Sequence, residues 1–390
     1  TTKHVRDCAA CPGDFQVDGY GPVSLVPTGW TEKHCGGQVE VTDSEKLVPH
    51  MGGRAYFADS CKAGHYDHKT YVGFNLLGKT MRYKTDLSGA GCGCNAAMYL
   101  VSMKQNAHKS ECYDYYCDAN NVCGESCAEI DIQEANLFAW HSTLHTAHDH
   151  AGVGKGYGGG GAGWSGPRDW TARQYAPGGE CIDTNEPFEV AVSFPTDAQG
   201  TLQAMEVTLS QKGKSCPLSV SINQYMGMAE LTQALTEGMT PVISYWSAND
   251  MLWMDGQGSD GQGPCGSDNR TMCSKAISFY DFTVEDITAP TPAPVPAPVP
   301  PATNFLAAVQ GTTREPKVHE RCAYCPGDFD VPGYGTVSLV PTGWAEDDCG
   351  KPVDVVDGLE IVPHMDGRAY FADTCNKGHY DHTTYVGLNL

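Results

Sequence analysis

Residues 3 to 76 return at 317 to 390 without insertion or deletion, and this internal repeat limits the possible architectures more than any local pattern does. Cys8, Cys11, Cys35 and Cys61 map onto Cys322, Cys325, Cys349 and Cys375 at a constant offset of 314. The stretch Val23-Ser24-Leu25-Val26-Pro27-Thr28-Gly29-Trp30 reappears unchanged as Val337 to Trp344. Between the copies, every second residue from Pro290 to Pro300 is proline. Proline has no N–H to give a sheet and favours extended polyproline geometry, so this run reads as a stiff spacer. The expected organisation is one domain over 3–287, a linker over 288–315, and over 316–390 the truncated N-terminal part of a second copy. Alone, that last stretch would leave its apolar strand faces without partners.

Charge and hydropathy remove whole classes of function. The formal net charge is -22 and Lys and Arg are scattered, so a polyanion such as nucleic acid would be repelled. The sequence has no run of 18 apolar residues, and no membrane partner is expected. Its start, Thr1-Thr2-Lys3-His4, is neither an initiator Met nor a secretion leader, so the chain reads as a mature form or a piece of a longer one. The 18 cysteines do not form repeated Cys-x-x-Cys pairs at zinc-ribbon spacing, and the 14 before position 274 are an even set. Cys8-Ala9-Ala10-Cys11 could be a redox or zinc pair, but disulfides in a secreted, extracellular protein are the favoured reading. Asn269-Arg270-Thr271 is a glycosylation sequon in keeping with secretion.

Within the full copy, short Val-, Ile-, Tyr- and Phe-rich segments alternate with polar residues and are punctuated by Gly, Pro, Asn and Asp. Strands are expected at 96–103, 188–194, 202–209 and 277–284, and a helix only at 228–237. The fold class is all-β, a two-sheet antiparallel β-sandwich.

The segment Glu129-Ile130-Asp131-Ile132-Gln133-Glu134-Ala135-Asn136 carries the chemistry. On a strand, Glu129 and Asp131 share a face while Ile130 and Ile132 point inward. Glu134, five positions after Glu129, would fall on the wrong face unless a β-bulge adds one residue. A helix would scatter the three acids around its cylinder. Three carboxylates on one face repel, so at least one should keep its proton to higher pH. Such closeness suits a retaining glycosidase, in which one carboxylate attacks and another protonates the leaving oxygen, about 5–5.5 Å apart. From the pattern alone, a solvated acidic strand competes evenly with that reading.

Glu-x-Asp-x-x-Glu-Ala-Asn resembles the active-site strand of glycoside hydrolase family 7, the cellobiohydrolases and endoglucanases. Phe74 to Lys79, Cys92 to Met103, Ile182 to Thr184 and Met251 to Asp255 resemble further segments in the family's order, together covering most of 55–287. The resemblance implies a concanavalin-like jelly roll with a cleft on its concave sheet, a cellulose-like β-glucan substrate and no cofactor or metal. It implies Glu129 as nucleophile, Glu134 as general acid/base and Asp131 as the partner that orients Glu129. In the substrate cleft it implies His145, Asp118, Arg173 and the sugar-stacking Trp246 and Trp253, with Arg173 one residue out of step. His141, His148 and His150 surround His145, and a surface cluster competes there with a functional one. The chain departs from the family in having Gln133 where tryptophan is usual, in a segment 245–250 two residues short, and in its shorter length. Missing loops would open the cleft and favour internal cleavage. Two non-enzymatic readings remain beside this one. Repeated modules on a spacer would suit a glucan-binding or structural wall protein, and the cysteines a disulfide-rich adhesion module.

Overall fold

The computed structural model describes residues 10–28, 38–159, 166–256, 265–266, 270–273 and 275–287, and strand segments between 328 and 372. The chain divides into two compact units, Thr1–Pro294 and Val295–Leu390. Cys8, Cys35, Asn269 and the Pro-rich run from 289 lie outside the described residues.

The first unit is built on two antiparallel sheets. One has eight strands in the order β1 (Asp14–Val17), β2 (Gly21–Pro27), β5 (Gly53–Ala58), β16 (Thr240–Trp246), β7 (Asn95–Val101), β8 (Glu129–Asn136), β9 (Ala139–His145) and β10 (Val153–Tyr157). The other has seven, in the order β15 (Leu218–Ile222), β14 (Met205–Ser210), β13 (Phe188–Ser193), β6 (Lys79–Asp86), β17 (Ser278–Asp286), β4 (Lys46–Pro49) and β3 (Val39–Thr42). A short parallel pair, β11 (Tyr175–Ala176) and β12 (Ile182–Asp183), lies outside both sheets. The fold is the expected β-sandwich. Helix α1 (Met228–Glu237) has the bounds its pattern implied, burying Leu231, Ala234 and Leu235 at helical spacing and ending at Gly238, whose φ of 93° suits glycine. A one-turn helix, α2 (Leu252–Asp255), follows β16.

Burial patterns distinguish the two sheets. In β13, β14 and β15 every second residue is buried, as in a sheet with one face on the core and one in water. In β7 and β9 all seven residues are buried, on both faces. Their inner side chains meet the opposite sheet, and their outer ones form the floor of a groove. Between the sheets, Phe15, Phe57, Tyr83 and Phe282 interlock at one end, with Phe15 and Phe57 edge-on at 4.9 Å. Trp140, Trp170, Tyr175 and Phe188 fill the other.

Six disulfides join the described cysteines: Cys11–Cys61, Cys92–Cys265, Cys94–Cys273, Cys112–Cys123, Cys117–Cys127 and Cys181–Cys216. Cys11 is thus bonded to a distant residue and does not pair with Cys8 in a redox or zinc motif. In the second unit, β18 (Asp328–Val331), β19 (Gly335–Pro341) and β22 (Ala369–Ala372) form one antiparallel sheet, and β20 (Val353–Val356) pairs with β21 (Glu360–Pro363). Ser338 Oγ donates to Asp328 at 2.7 Å, as Ser24 Oγ does to Asp14 at 2.6 Å in the first unit.

Trp140 is fully buried among three aromatic neighbours. Trp140→Ala is expected to cost about 3–5 kcal/mol of stability, read from the shift in a urea-unfolding midpoint.

Candidate active site

The groove is organised by an irregularity in β8. Side chains alternate up to Asp131, and then the register slips, against β7 between Met98 and Tyr99 and against β9 between Asp131 and Glu134. Ile132 and Gln133 both turn into the sandwich. Ile132 joins the apolar core, while the buried Gln133 amide accepts from Tyr83 Oη at 3.1 Å and donates to the Ala96 carbonyl at 3.1 Å and Thr85 Oγ1 at 3.3 Å. With two inward residues in succession, alternation resumes out of phase and Glu134 returns to the face of Glu129 and Asp131. All three line a groove of about 1030 Å³.

Strand register lays out the floor in rows that run across the sheet. One row reads Arg54, Ser244, Ala97, Glu134, His141 and Gly156, from β5 to β10. The next reads Tyr56, Val242, Tyr99, Asp131, Thr143 and Gly154, and a third places Glu129 between Val101 and His145. Small residues, Ala97, Ser244 and Gly154, therefore leave space beside the acids. Larger side chains rise beyond them: Trp246 and Trp253 line the groove, and the Arg54 guanidinium lies 3.7 Å over the Tyr116 ring.

Each acid has a different set of partners. Glu129 Oε2 accepts the Ala119 N–H at 3.0 Å. Glu134 Oε1 accepts from Asn95 Nδ2 at 2.9 Å. Asp131 Oδ2 lies 3.2 Å from His145 Nε2, and His145 Nδ1 donates to the Asp149 carbonyl at 2.7 Å. A carbonyl can only accept, so Nδ1 carries a proton; with Asp131 ionised at Nε2, both ring nitrogens donate and His145 is an imidazolium. Burial opposes that charge, but the Asp131 hydrogen bond and charge outweigh it and push the His145 pKa up to about 9. Glu134 is partly open to the groove, yet desolvation and then the Asp131 charge push it up to about 8, against the Asn95 bond and the His145 charge. Glu129 is also raised, first by burial, then by Asp131 and Asp118, with the Ala119 N–H opposing and Glu134 adding a smaller push. Both Glu129 and Glu134 are therefore raised, mainly by burial, and a proton on Glu134 removes only the smallest of the pushes on Glu129.

Comparison with known proteins supplies the relationship. No family model matches the chain. Over 240 residues it is 31% identical to endoglucanase EG-1 of Trichoderma longibrachiatum, a match covering 50% of this chain and 48% of that protein. It is 29% identical over 250 residues to a probable endo-beta-1,4-glucanase, celB, of Neosartorya fischeri, covering 52% and 60%. The fold superposes on a GH7 family cellobiohydrolase from Daphnia pulex with a TM-score of 0.53 at 18% identity, over 71% of this chain and 98% of that one. The chain is similar in sequence to two glucanases and in fold to a GH7 family cellobiohydrolase. It spans about half the length of the curated relatives it matches first.

In this chain, seven of the eight residues picked out in the sequence line one groove: Glu129, Asp131, Glu134, His145, Asp118, Trp246 and Trp253. Arg173 does not. It sits in the loop before β11, exposed, and pairs with Glu180 at 2.7 Å; that carboxylate, in the connection from β11 to β12, satisfies the guanidinium there. Gln133 is not a groove residue in place of a stacking ring, because the bulge turns it inward. Among the described residues, the one cluster with metal-ligand spacing is Cys92, Asp255 and Cys265, and its two cysteines are joined in a disulfide. Sequence reasoning missed Arg54, Asn95, Tyr99 and the register of His141. Arg54 and Asn95 carry no motif. The position of His141 follows from counting back from the hairpin at Leu137 and Phe138, which pairs Glu134 with His141.

The raised Glu134 pKa has a sign that can be tested. The unfolded chain holds this carboxyl near its ordinary 4.5 and the folded one near 8, so between those values the folded state binds more protons and stability falls as pH rises. Glu134→Gln removes that titration. Its melting temperature relative to the parent is expected to climb from pH 4.5 to 8 and to be level below pH 4; a constant difference in differential scanning calorimetry would contradict the assigned shift.

Proposed function

We propose that the domain over residues 3–287 hydrolyses internal or chain-end β-1,4-glucosidic bonds of cellulose or a related β-glucan with retention of configuration. The observation that carries this reading is the return of Glu134, through the bulge, to the groove face of Glu129 and Asp131, with Glu134 holding its proton up to about pH 8. In the first step Glu129 attacks the anomeric carbon, the glycosidic C–O bond breaks, and Glu134 gives its proton to the departing oxygen. In the second, Glu134 takes a proton from water, the hydroxide adds to the anomeric carbon, and the Glu129 carboxylate is released. Asp131, paired with His145, stands beside Glu129 on the same strand, and the Ala119 N–H holds the attacking carboxylate in place. Asp118 tunes the charge at Glu129, and Trp246 and Trp253 offer flat faces to glucose rings.

The relatives' names support the substrate class, since both are called glucanases. The disulfides agree with secretion into an oxidising environment. The recurrence of 3–76 at 317–390 supports a Pro-rich linker over 288–315 and a partial second copy over 316–390.

Reducing-sugar release from soluble and insoluble β-glucans tests the activity, and Glu129→Gln is expected to lower it by about a thousandfold or more while preserving the fold. Proton NMR of the earliest products should show the β-anomer; the α-anomer first would exclude Glu129 as nucleophile. The alkaline limb of the kcat/KM profile should fall near pH 8, as Glu134 loses its proton. Removal of 289–390 is expected to leave an active domain with an unchanged melting transition, whereas loss of folding would mean that the second copy completes the first.

A further inference from the structure

His141 stands directly across from Glu134 in the β8–β9 pairing and lines the same groove. Its side chain is buried, and Nε2 lies 2.8 Å from the Met254 carbonyl. Because that oxygen only accepts, Nε2 carries the hydrogen. The imidazole also meets the Trp253 ring edge-on, with centroids 5.9 Å apart and planes at 64°. The rest of the surroundings is tightly fitted. A Cβ on Gly159 would come within 2.6 Å of the Trp253 carbonyl and 2.9 Å of His141 Cε1, and one on Gly158 within 2.8 Å of the Met254 carbonyl. Arg168 donates to the Gly158 and Gly159 carbonyls, fixing this backbone against the turn. The next residue, Asp255, is held from the other side, where its Oδ2 accepts from Gly93 N at 2.8 Å and Asn136 Nδ2 at 2.6 Å. His141 is thus the groove-side anchor of the turn that carries Trp253.

We infer that His141 is a positioning residue, which clamps the α2 turn to β9 and thereby sets the Trp253 face against the sugar whose oxygen Glu134 protonates. This rests on the hydrolytic reading above and adds a specificity device to it: one imidazole couples the ring that binds a glucose unit to the strand that holds the acid. Burial, and then Arg168, push the ring's pKa down to about 4 against the pull of the Met254 carbonyl, so the clamp brings no second positive charge beside Glu134.

The test compares cellotetraose, which places sugar on both sides of the cleavage point, with β-cellobiosyl fluoride, whose leaving group is a single atom. His141→Phe keeps a ring but removes the donor to Met254, whereas His141→Gln places an amide N–H near the position of Nε2. The Phe variant is expected to lose roughly tenfold more kcat/KM on cellotetraose than on the fluoride, and the Gln variant to recover most of that difference. Equal losses on both substrates, or a Gln variant that behaves like Phe, would overturn the proposal. If the Phe variant does not fold, His141→Asn, whose amide is too short to reach, takes its place in the same comparison. If the parent cleaves neither substrate, the hydrolytic reading fails separately, and the clamp is then judged by calorimetric cellotetraose affinity. Weaker binding in Phe restored in Gln supports it; no binding by the parent, or no difference among the three, refutes it.

Discussion

Two neighbouring side chains of β8, Ile132 and Gln133, turn into the sandwich together, and the chemistry on the other face of the sheet depends on that one departure from alternation. A regular strand would bury Glu134 in the apolar core, where an unpaired carboxylate is very costly. The irregularity is held from behind. Gln133 finds partners on both sheets, through Tyr83 and Thr85 on β6 and Ala96 on β7, so its inward position leaves no orphaned polar group. The polar contact inside the core and the polar groove outside are two sides of the same local geometry.

Groove electrostatics follow from where the acids are placed. Four carboxyl groups, at Asp118, Glu129, Asp131 and Glu134, gather along one groove, and the protein offsets them with the His145 imidazolium and N–H donors from Ala119, Val122 and Asn95. The balance is incomplete: burial first, and then repulsion from Asp131, raises both Glu129 and Glu134 above the ordinary carboxylate range. A purely structural strand gains nothing from such an arrangement.

Much of this was legible in the chain. The five-residue spacing from Glu129 to Glu134 required a bulge on any strand, and α1 had its bounds in a clean helical stripe. Strand ends were less exact: β14 begins at Met205, not Leu202, because Leu202 instead bridges to Thr196. What could not be read locally was lateral position. Arg54 reaches the groove, and Asn95 reaches Glu134, because β5, β16, β7 and β8 lie side by side, with β16 inserted between strands that precede it in the chain. Arg173 lies away from the groove for the opposite reason, since an acid seven residues along the chain, beyond β11, pairs with it.

The two smallest disulfide loops, Cys112–Cys123 and Cys117–Cys127, interlace around the segment that supplies Tyr116, Asp118 and the Ala119 N–H. That segment has no place in either sheet, and those bonds fix its shape together with side-chain contacts to the sheet such as Tyr116 Oη with Tyr99 Oη at 3.0 Å. Under reduction, the support of the Glu129 carboxylate would loosen while the paired sheets persisted. Working geometry and global fold would then be lost in sequence, so that a chain matured without oxidant could pass for native by its secondary structure while lacking an ordered site.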